Sequence, residues 1–183
     1  MRTIVGLTGA SGVAYGVDFL RRCPGDKYVI ASKWGKRVLN DELGLKIQEL
    51  KPWVNEIYSD NDLGAPFSSG SNHFDAMVIA PCSVSTLAKI ANGIADTLIT
   101  RIAQVALKER RKLIIAVRET PLSSIALENA LKLSREGVII APICPTDYMG
   151  ADSVDQIIGG YVDKLLNLVG VETENGWRQD ELE

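Results

Sequence analysis

Short apolar segments alternate with amphipathic segments along most of the chain. Runs rich in apolar residues predict six strands, at positions 2–7, 27–31, 53–58, 76–80, 112–117 and 138–141. Apolar residues at helical spacing predict helices at 13–22, 33–43, 83–92, 96–109, 122–135 and 153–168. The segment 60–72 is rich in Gly, Ser, Asp and Pro, so we expect it to be a loop.

The alternation of the two kinds of segment predicts the fold class. Strands that are largely apolar and separated by helices are typical of a parallel sheet covered on both faces. We therefore predict an α/β protein with a three-layer, doubly wound parallel sheet of the Rossmann or flavodoxin-like type. The 183 residues fit a single domain, which we place at 1–171, followed by a polar tail at 172–183. In such folds ligands bind outside the carboxyl ends of the strands, so the loops that follow each strand are the candidate site.

Composition narrows the possible chemistry. The net charge of −3 provides no basic field, so we expect no binding to nucleic acid or to an anionic membrane. The apolar runs are far shorter than the roughly 20 residues that span a bilayer. One histidine and three widely spaced cysteines exclude a His-rich zinc site and favour a reducing, cytoplasmic location without a disulfide framework. We expect no metal, and we expect the chemistry to come from a bound cofactor.

The first two strand-end loops combine small residues with hydroxyls. After the first strand, Gly9, Ala10 and Gly12 let a ligand approach backbone N–H groups, and the Ser11 hydroxyl faces the crevice. The alternative is that these glycines only shape the turn. Ser32 follows the second strand, where it is a helix N-cap, a ligand contact or both.

The loop after the fourth strand is richer in hydroxyls than a helix cap requires. Ser83, Ser85 and Thr86 open the next helix, and contact with a phosphate or a flavin ring fits this pattern. Cys82 is either a nucleophile or a small buried hydrophobic residue, and the single histidine in the chain favours the second interpretation.

Charged residues are the second candidate group. Arg118 and Glu119 directly follow the apolar strand at 112–117, where Arg118 could bind an anion bidentately and Glu119 could act as a general acid or base. The alternative is an internal salt bridge. Arg101 and Lys108 are seven residues apart on one helix and so share a face, which is either an anion site or a solvated basic stripe.

Taken together, these segments resemble the flavin prenyltransferase family of the UbiX/Pad type, within the homo-oligomeric flavin-containing Cys decarboxylase-like superfamily. The resemblance extends over about residues 3–170. The motifs that carry it are Thr8-Gly9-Ala10-Ser11-Gly12, Ser32-Lys33, Pro81-Cys82-Ser83 with Thr86-Leu87, and the segments 91–96, 106–111 and 118–122.

The resemblance implies an activity and a set of partners. Proteins of this family join the prenyl group of dimethylallyl phosphate to N5 and C6 of reduced FMN without a metal. The prenylated FMN is then passed to a decarboxylase of the UbiD type. The resemblance also implies a homo-oligomer, a dodecamer, with FMN sites between subunits.

The resemblance also assigns roles to residues of this sequence. It implies that Ser11, Glu42 and Glu119 are catalytic. The implied FMN contacts are Gly9, Ala10, Ser11, Ser32, Ser83, Val84, Ser85, Thr86 and Arg118. The implied contacts of the substrate phosphate are Arg101, Lys108, Tyr148 and Lys164. The chain differs from the family pattern at two positions, with Leu63 where many members have Trp and Lys164 where an Arg is usual.

Two other functions remain open from the sequence. The stretch Asn92-Gly93-Ile94-Ala95-Asp96 is shared with FMN-dependent decarboxylases of a peptidyl or pantothenoyl cysteine, although their catalytic His has no clear counterpart here. The unusual Leu63 and Lys164 favour a third hypothesis, a non-catalytic FMN carrier or an accessory subunit of a decarboxylase.

Overall fold

The computed structural model describes residues 1–145 and 150–173, within which one sheet and six α-helices are found. The strands are β1 (Arg2–Leu7), β2 (Asp26–Ala31), β3 (Glu56–Ser59), β4 (Ala76–Cys82), β5 (Lys112–Val117) and β6 (Ile139–Ile140). The helices are α1 (Val13–Arg22), α2 (Lys33–Leu43), α3 (Val84–Ala91), α4 (Leu98–Lys108), α5 (Ser124–Arg135) and α6 (Val154–Val169). Two 3₁₀ helices, Ile47–Trp53 and Pro66–Ser68, flank β3.

All six strands are parallel, in the order β3-β2-β1-β4-β5-β6. This is the doubly wound arrangement, so the predicted fold class is confirmed. The strand order reverses between β1 and β4, which pair directly with Val5 beside Val78. The loops after these two strands therefore flank the crevice in which such folds bind their ligands.

Alternate side chains of the buried strands form two separate cores, one on each face of the sheet. Val5 and Val78 pack with residues of α1, α2 and α6. Ile4 and Ile79 pack with residues of α3, α4 and α5 on the opposite face. Apolar packing on both faces holds the helices against the sheet. Because these helices begin at the carboxyl edge, the packing also positions the candidate site.

Several element boundaries differ from the prediction. The sequence predicts a strand at 53–58, but Trp53 belongs to the 3₁₀ helix Ile47–Trp53. The observed strand β3 is therefore Glu56–Ser59. β4 continues past its predicted end at position 80. Its register against β5 shifts between Ile79 and Cys82, which accommodates Pro81, and the Pro81 carbonyl accepts from the Thr8 N–H. The predicted tail at 172–183 falls largely outside the described residues. In the described part of the chain, we find no helix with the length and apolarity that crossing a bilayer would require.

Arg110 ends α4 in the left-handed conformation, with φ of 56°. Its N–H bonds the Leu107 carbonyl and the Arg111 N–H bonds the Ala106 carbonyl, a pairing that usually has glycine at the left-handed position. A side chain costs about 1 kcal/mol in this conformation. The free energy of unfolding of Arg110→Gly, measured by chemical denaturation, should therefore be about 1 kcal/mol higher than that of Arg110→Ala. Equal stability of the two variants would contradict this interpretation.

Candidate active site

The loops after β1 and β4 are joined across the crevice by Thr8. Its N–H and its hydroxyl both donate to the Pro81 carbonyl, at 3.2 and 2.9 Å. The same hydroxyl oxygen accepts from the Ser83 N–H at 2.8 Å. Because Thr8 is buried, these bonds have little competition from water, and they fix the two loops relative to each other. Sequence reasoning missed this role, although a hydroxyl at the end of an apolar strand was a usable signal.

The β1–α1 loop presents unused hydrogen-bond donors. The N–H groups of Gly9, Ala10 and Ser11 make no hydrogen bond within the described residues. Gly9 is required by close packing, since a Cβ there would lie 2.5 Å from the Cβ of Trp34. Ser11 is exposed. Successive free N–H groups in such a turn favour an anion or a polar ring edge.

Glu42 caps the start of α1 from the end of α2. Its carboxylate accepts from the Gly12 N–H at 3.0 and 3.1 Å and from the Val13 N–H at 3.0 Å. Gly12 has a φ of 98°, which a glycine adopts without strain. A carboxylate at a helix N-terminus is favoured by the helix dipole. Glu42 therefore holds the Ser11 loop in place, and the implied catalytic role stays a prediction.

Ser32 and Ser83 are helix N-caps that keep capacity for a ligand. The Ser32 oxygen accepts from the Gly35 N–H at 2.9 Å, and the Ser83 oxygen accepts from the Thr86 N–H at 3.3 Å. The Ser32 hydroxyl can still donate its proton to a ligand. The Ser83 and Thr86 hydroxyls lie 3.1 Å apart, so one of them donates to the other and the second keeps a free proton. In the first turn of α3, the N–H groups of Val84 and Ser85 have no partner within the described residues. The cap and the ligand interpretations are thus compatible.

Arg118 and Glu119 stand at the same edge of the sheet. The Arg118 N–H bonds the Cys82 carbonyl at 3.1 Å, which fixes it beside the end of β4. Burial raises the pKa of Tyr15 on α1, and the nearby charge of Arg118 partly offsets that rise. The internal salt bridge considered from the sequence is not found in the described part of the chain, where Glu119 accepts only from the Thr120 N–H at 3.0 Å. Both side chains are exposed and available to a ligand.

The cations implied for the substrate phosphate do not all lie at this edge. α4 begins beside Asp60, at the carboxyl end of β3, and ends just before β5, so Arg101 is near the carboxyl edge and Lys108 is near the amino edge. Lys108 pairs with Glu109 and lowers the pKa of that carboxyl. Lys164 is exposed in the second half of α6. Tyr148 lies outside the described residues. One chain therefore does not bring Lys108 and Lys164 to the strand-end loops.

Cys82 is not placed as a nucleophile. Its side chain is 0 % exposed, and burial raises the pKa of the thiol. The single histidine, His73, pairs with Asp75, which also accepts from the Arg2 N–H at the start of β1. His73 is thus at the opposite edge of the sheet from Cys82, so it cannot activate the thiol. Within the described ranges, no group of three or more His, Cys, Asp or Glu side chains could hold a metal ion.

We expect Cys82→Ala to keep full turnover. The thiol contacts the core rather than the crevice, and its truncation should cost about 1 kcal/mol of stability by leaving a small cavity. Steady-state kinetics and chemical denaturation of the variant check both parts. Loss of turnover in a variant that remains folded would instead place the sulfur in the reaction.

Comparisons with known proteins agree with this geometry. A family model described as Flavoprotein matches residues 1–166. The Flavin prenyltransferase UbiX of Thermoplasma acidophilum is 49 % identical over 172 residues, which is 93 % of this chain and 96 % of that protein.

Two solved structures extend the similarity to three dimensions. The AnUbiX (PadA1) structure in complex with FMN and dimethylallyl pyrophosphate is 38 % identical, with a TM-score of 0.91 over 97 % of this chain and 98 % of that one. A dodecameric FMN-dependent Ubix-like decarboxylase from Escherichia coli O157:H7 is 40 % identical, with a TM-score of 0.93 over the same shares. The chain therefore belongs to the flavoprotein family and, within it, to the flavin prenyltransferases of the UbiX type.

Proposed function

We propose that this chain is an enzyme that transfers the dimethylallyl group of dimethylallyl phosphate to N5 and C6 of reduced FMN. The observation that carries the proposal is the set of hydrogen-bond donors without protein partners at the carboxyl edge of β1, β4 and β5. The chain is also similar to a protein solved with FMN and dimethylallyl pyrophosphate. The products are prenylated FMN and inorganic phosphate.

The donor set at this edge fits FMN. The free N–H groups of Gly9 to Ser11 and the caps Ser32 and Ser83 suit the polar edges of a flavin and its phosphate. Ser85 and Thr86 add hydroxyls, and the N–H groups of the first turn of α3 add further donors. The guanidinium of Arg118 balances the anionic charge. When bound, reduced FMN supplies the two nucleophilic ring positions.

Three side chains have proposed roles in proton transfer and orientation. The exposed Glu119 carboxylate takes up the proton released at the flavin edge, because it follows β5 directly and is held by the Thr120 N–H. The Ser11 hydroxyl orients the reacting edge from the β1–α1 loop. Glu42 keeps that loop rigid through its bonds to the first N–H groups of α1.

The departing phosphate needs cations that are already in place. Charge develops on the phosphate oxygens as the allyl–oxygen bond breaks, and preorganised cations stabilise it. We assign this role to Arg101, Lys108 and Lys164, with the Tyr148 hydroxyl as a neutral hydrogen-bond donor to the same phosphate. Because Lys108 and Lys164 lie away from the strand-end loops of their own chain, the proposal requires a neighbouring copy to supply them.

A homo-oligomer, which we propose to be a dodecamer, is supported by the apolar residues left on the surface of one chain. Ile125, Leu127 and Leu131 of α5 are 69 %, 53 % and 51 % exposed, and Val154 of α6 is 69 % exposed. Such a surface is typical of a contact between subunits. The three free cysteines support a reducing, cytoplasmic location. The natural recipient of the product would be a decarboxylase of the UbiD type.

The two other functions lack a specific observation. A cysteine-type decarboxylase would need its histidine in the crevice, whereas His73 lies at the opposite edge of the sheet. An FMN carrier would release no phosphate. The proposal is tested by measuring phosphate release from dimethylallyl phosphate under anaerobic conditions, with reduced FMN and with oxidised FMN. We expect release only with reduced FMN, and equal release in both would oppose the proposal.

Mixing two inactive variants tests the shared site. If Glu119 and Lys108 of one reaction centre belong to different chains, Glu119→Gln and Lys108→Ala subunits that are unfolded and reassembled together should recover a substantial fraction of turnover. Each variant reassembled alone is the control. No recovery in verified mixed oligomers would mean that one chain supplies both residues.

A further inference from the structure

The loop between β3 and β4, residues 60–75, is attached near one end to the start of α4 and near the other end to Arg111, which follows α4. At the start of the loop, the Asp60 carbonyl accepts from the Leu98 N–H at 2.8 Å and its carboxylate from the Ile99 N–H at 2.9 Å. Near its end, Arg111 donates to the carbonyls of Gly70 and Asn72, at 2.6 and 2.8 Å. Asp60 is buried, so its two bonds are shielded from water. The loop and α4 therefore form one unit.

Between these attachments the loop holds Arg101, one of the residues proposed to bind the substrate phosphate. The Ser68 carbonyl, at the end of the 3₁₀ turn Pro66–Ser68, accepts from Nε of Arg101 at 2.9 Å. That turn is closed by Asn72, whose side-chain NH₂ group donates to the Pro66 carbonyl at 2.7 Å. The buried Phe67 anchors the turn in the core. Asn72 therefore fixes the position of the carbonyl that holds Arg101.

The bond at Nε orients the whole guanidinium, because that group is planar and rigid. Within the described residues, neither terminal amino group of Arg101 has a carboxylate or carbonyl partner. The two amino groups form the fork that binds phosphate bidentately. Ser68 thus holds the Nε–H, which lies outside that fork, and Arg101 is oriented before an anion arrives.

We infer that Asn72 is a positioning residue for phosphate recognition, acting through the Ser68 carbonyl on Arg101. The inference rests on the proposed role of Arg101 as a contact of the substrate phosphate. Fixing the side chain in advance removes the rotamer entropy that binding would otherwise cost. Loss of the Asn72 bond would let the turn and the guanidinium move without removing either charge or contact surface.

The test compares two Asn→Ala substitutions in the same loop. Asn72→Ala should raise KM for dimethylallyl phosphate about tenfold, with KM for FMN and kcat nearly unchanged. Asn61→Ala is the matched control, since the Asn61 side chain makes no hydrogen bond in the described part of the chain. The control should match the wild type. Asn72→Ser, which keeps a shorter donor, replaces the alanine variant if that variant does not assemble.

A double-mutant cycle separates positioning from a general structural effect. In an Arg101→Ala background, Asn72→Ala should add no further rise in KM for the prenyl phosphate, because its effect passes through Arg101. A further tenfold rise would overturn the inference, as would an unchanged KM in the single variant.

Binding of inorganic phosphate, measured by calorimetry without turnover, distinguishes the inference from the proposed function. We expect Asn72→Ala and Arg101→Ala both to weaken phosphate binding. A wild-type protein that binds phosphate through Arg101 but forms no prenylated flavin would contradict the function alone. Phosphate affinity that depends on Arg101 but not on Asn72 would contradict the inference alone.

Discussion

Glu119→Gln should lower turnover about 100- to 1,000-fold while FMN binding is retained. The amide has the shape of the carboxylate and can still accept from the Thr120 N–H, so the loop after β5 should keep its conformation. It cannot take up a proton, and the proposed transfer from the flavin edge would lose its acceptor. Stopped-flow kinetics of product formation and a separate titration with FMN measure the two quantities.

Glu136→Gln is the control for that experiment. Glu136 is an exposed carboxylate at the end of α5, so the substitution removes the same charge away from the strand-end loops. Its turnover should equal that of the wild type. Wild-type turnover in Glu119→Gln would remove Glu119 from the reaction, and a parallel loss of FMN affinity would make it a binding residue instead.

Gly16→Ala should destabilise the fold more than any surface change. A Cβ at Gly16 would lie 2.0 Å from the Ala80 carbonyl oxygen and 2.6 Å from a methyl group of Leu7. Since the first of these atoms is backbone, α1 would have to move away from β4. We expect the free energy of unfolding to fall by about 2–3 kcal/mol, despite the better helix propensity of alanine. Chemical denaturation measures the change.

Gly159 provides the matched control in α6. Among the residues that the structure describes, a Cβ there would meet only Nη1 of Arg22, at an ordinary contact distance of 3.6 Å. Gly159→Ala should therefore raise the free energy of unfolding by about 0.5–1 kcal/mol, as expected inside a helix. If the Gly16 and Gly159 variants are equally stable, the close approach of α1 to β4 does not require a glycine at position 16.

The sheet and its strand-end loops could be predicted because both depend on local pattern. Buried strands are apolar over their whole length, and hydroxyls such as Ser32 and Ser83 mark the helix starts that follow them. Once a parallel sheet is predicted, its geometry places these loops at one edge.

Contacts between distant segments could not be predicted in the same way. Thr8 bonds Pro81 and Ser83 across more than seventy residues, and Glu42 reaches Gly12 from the far end of another helix. Neither pairing leaves a periodic signal, since each depends on how complete elements pack.

The two cations of α4 illustrate the same limit. A spacing of seven residues places Arg101 and Lys108 on one face, but it also separates them by about 10 Å along the helix axis. The structure adds that Arg101 is held by Ser68 and Lys108 by Glu109. A shared face therefore did not mean a shared site within one chain.

The mass of the flavin recovered after anaerobic incubation with reduced FMN and dimethylallyl phosphate tests the central claim most directly. We expect a flavin heavier than FMN by one isoprene unit, formed in step with phosphate release and almost absent with Glu119→Gln. Recovery of unmodified FMN alone, from a folded oligomer that has bound both compounds, would contradict the proposed prenyl transfer.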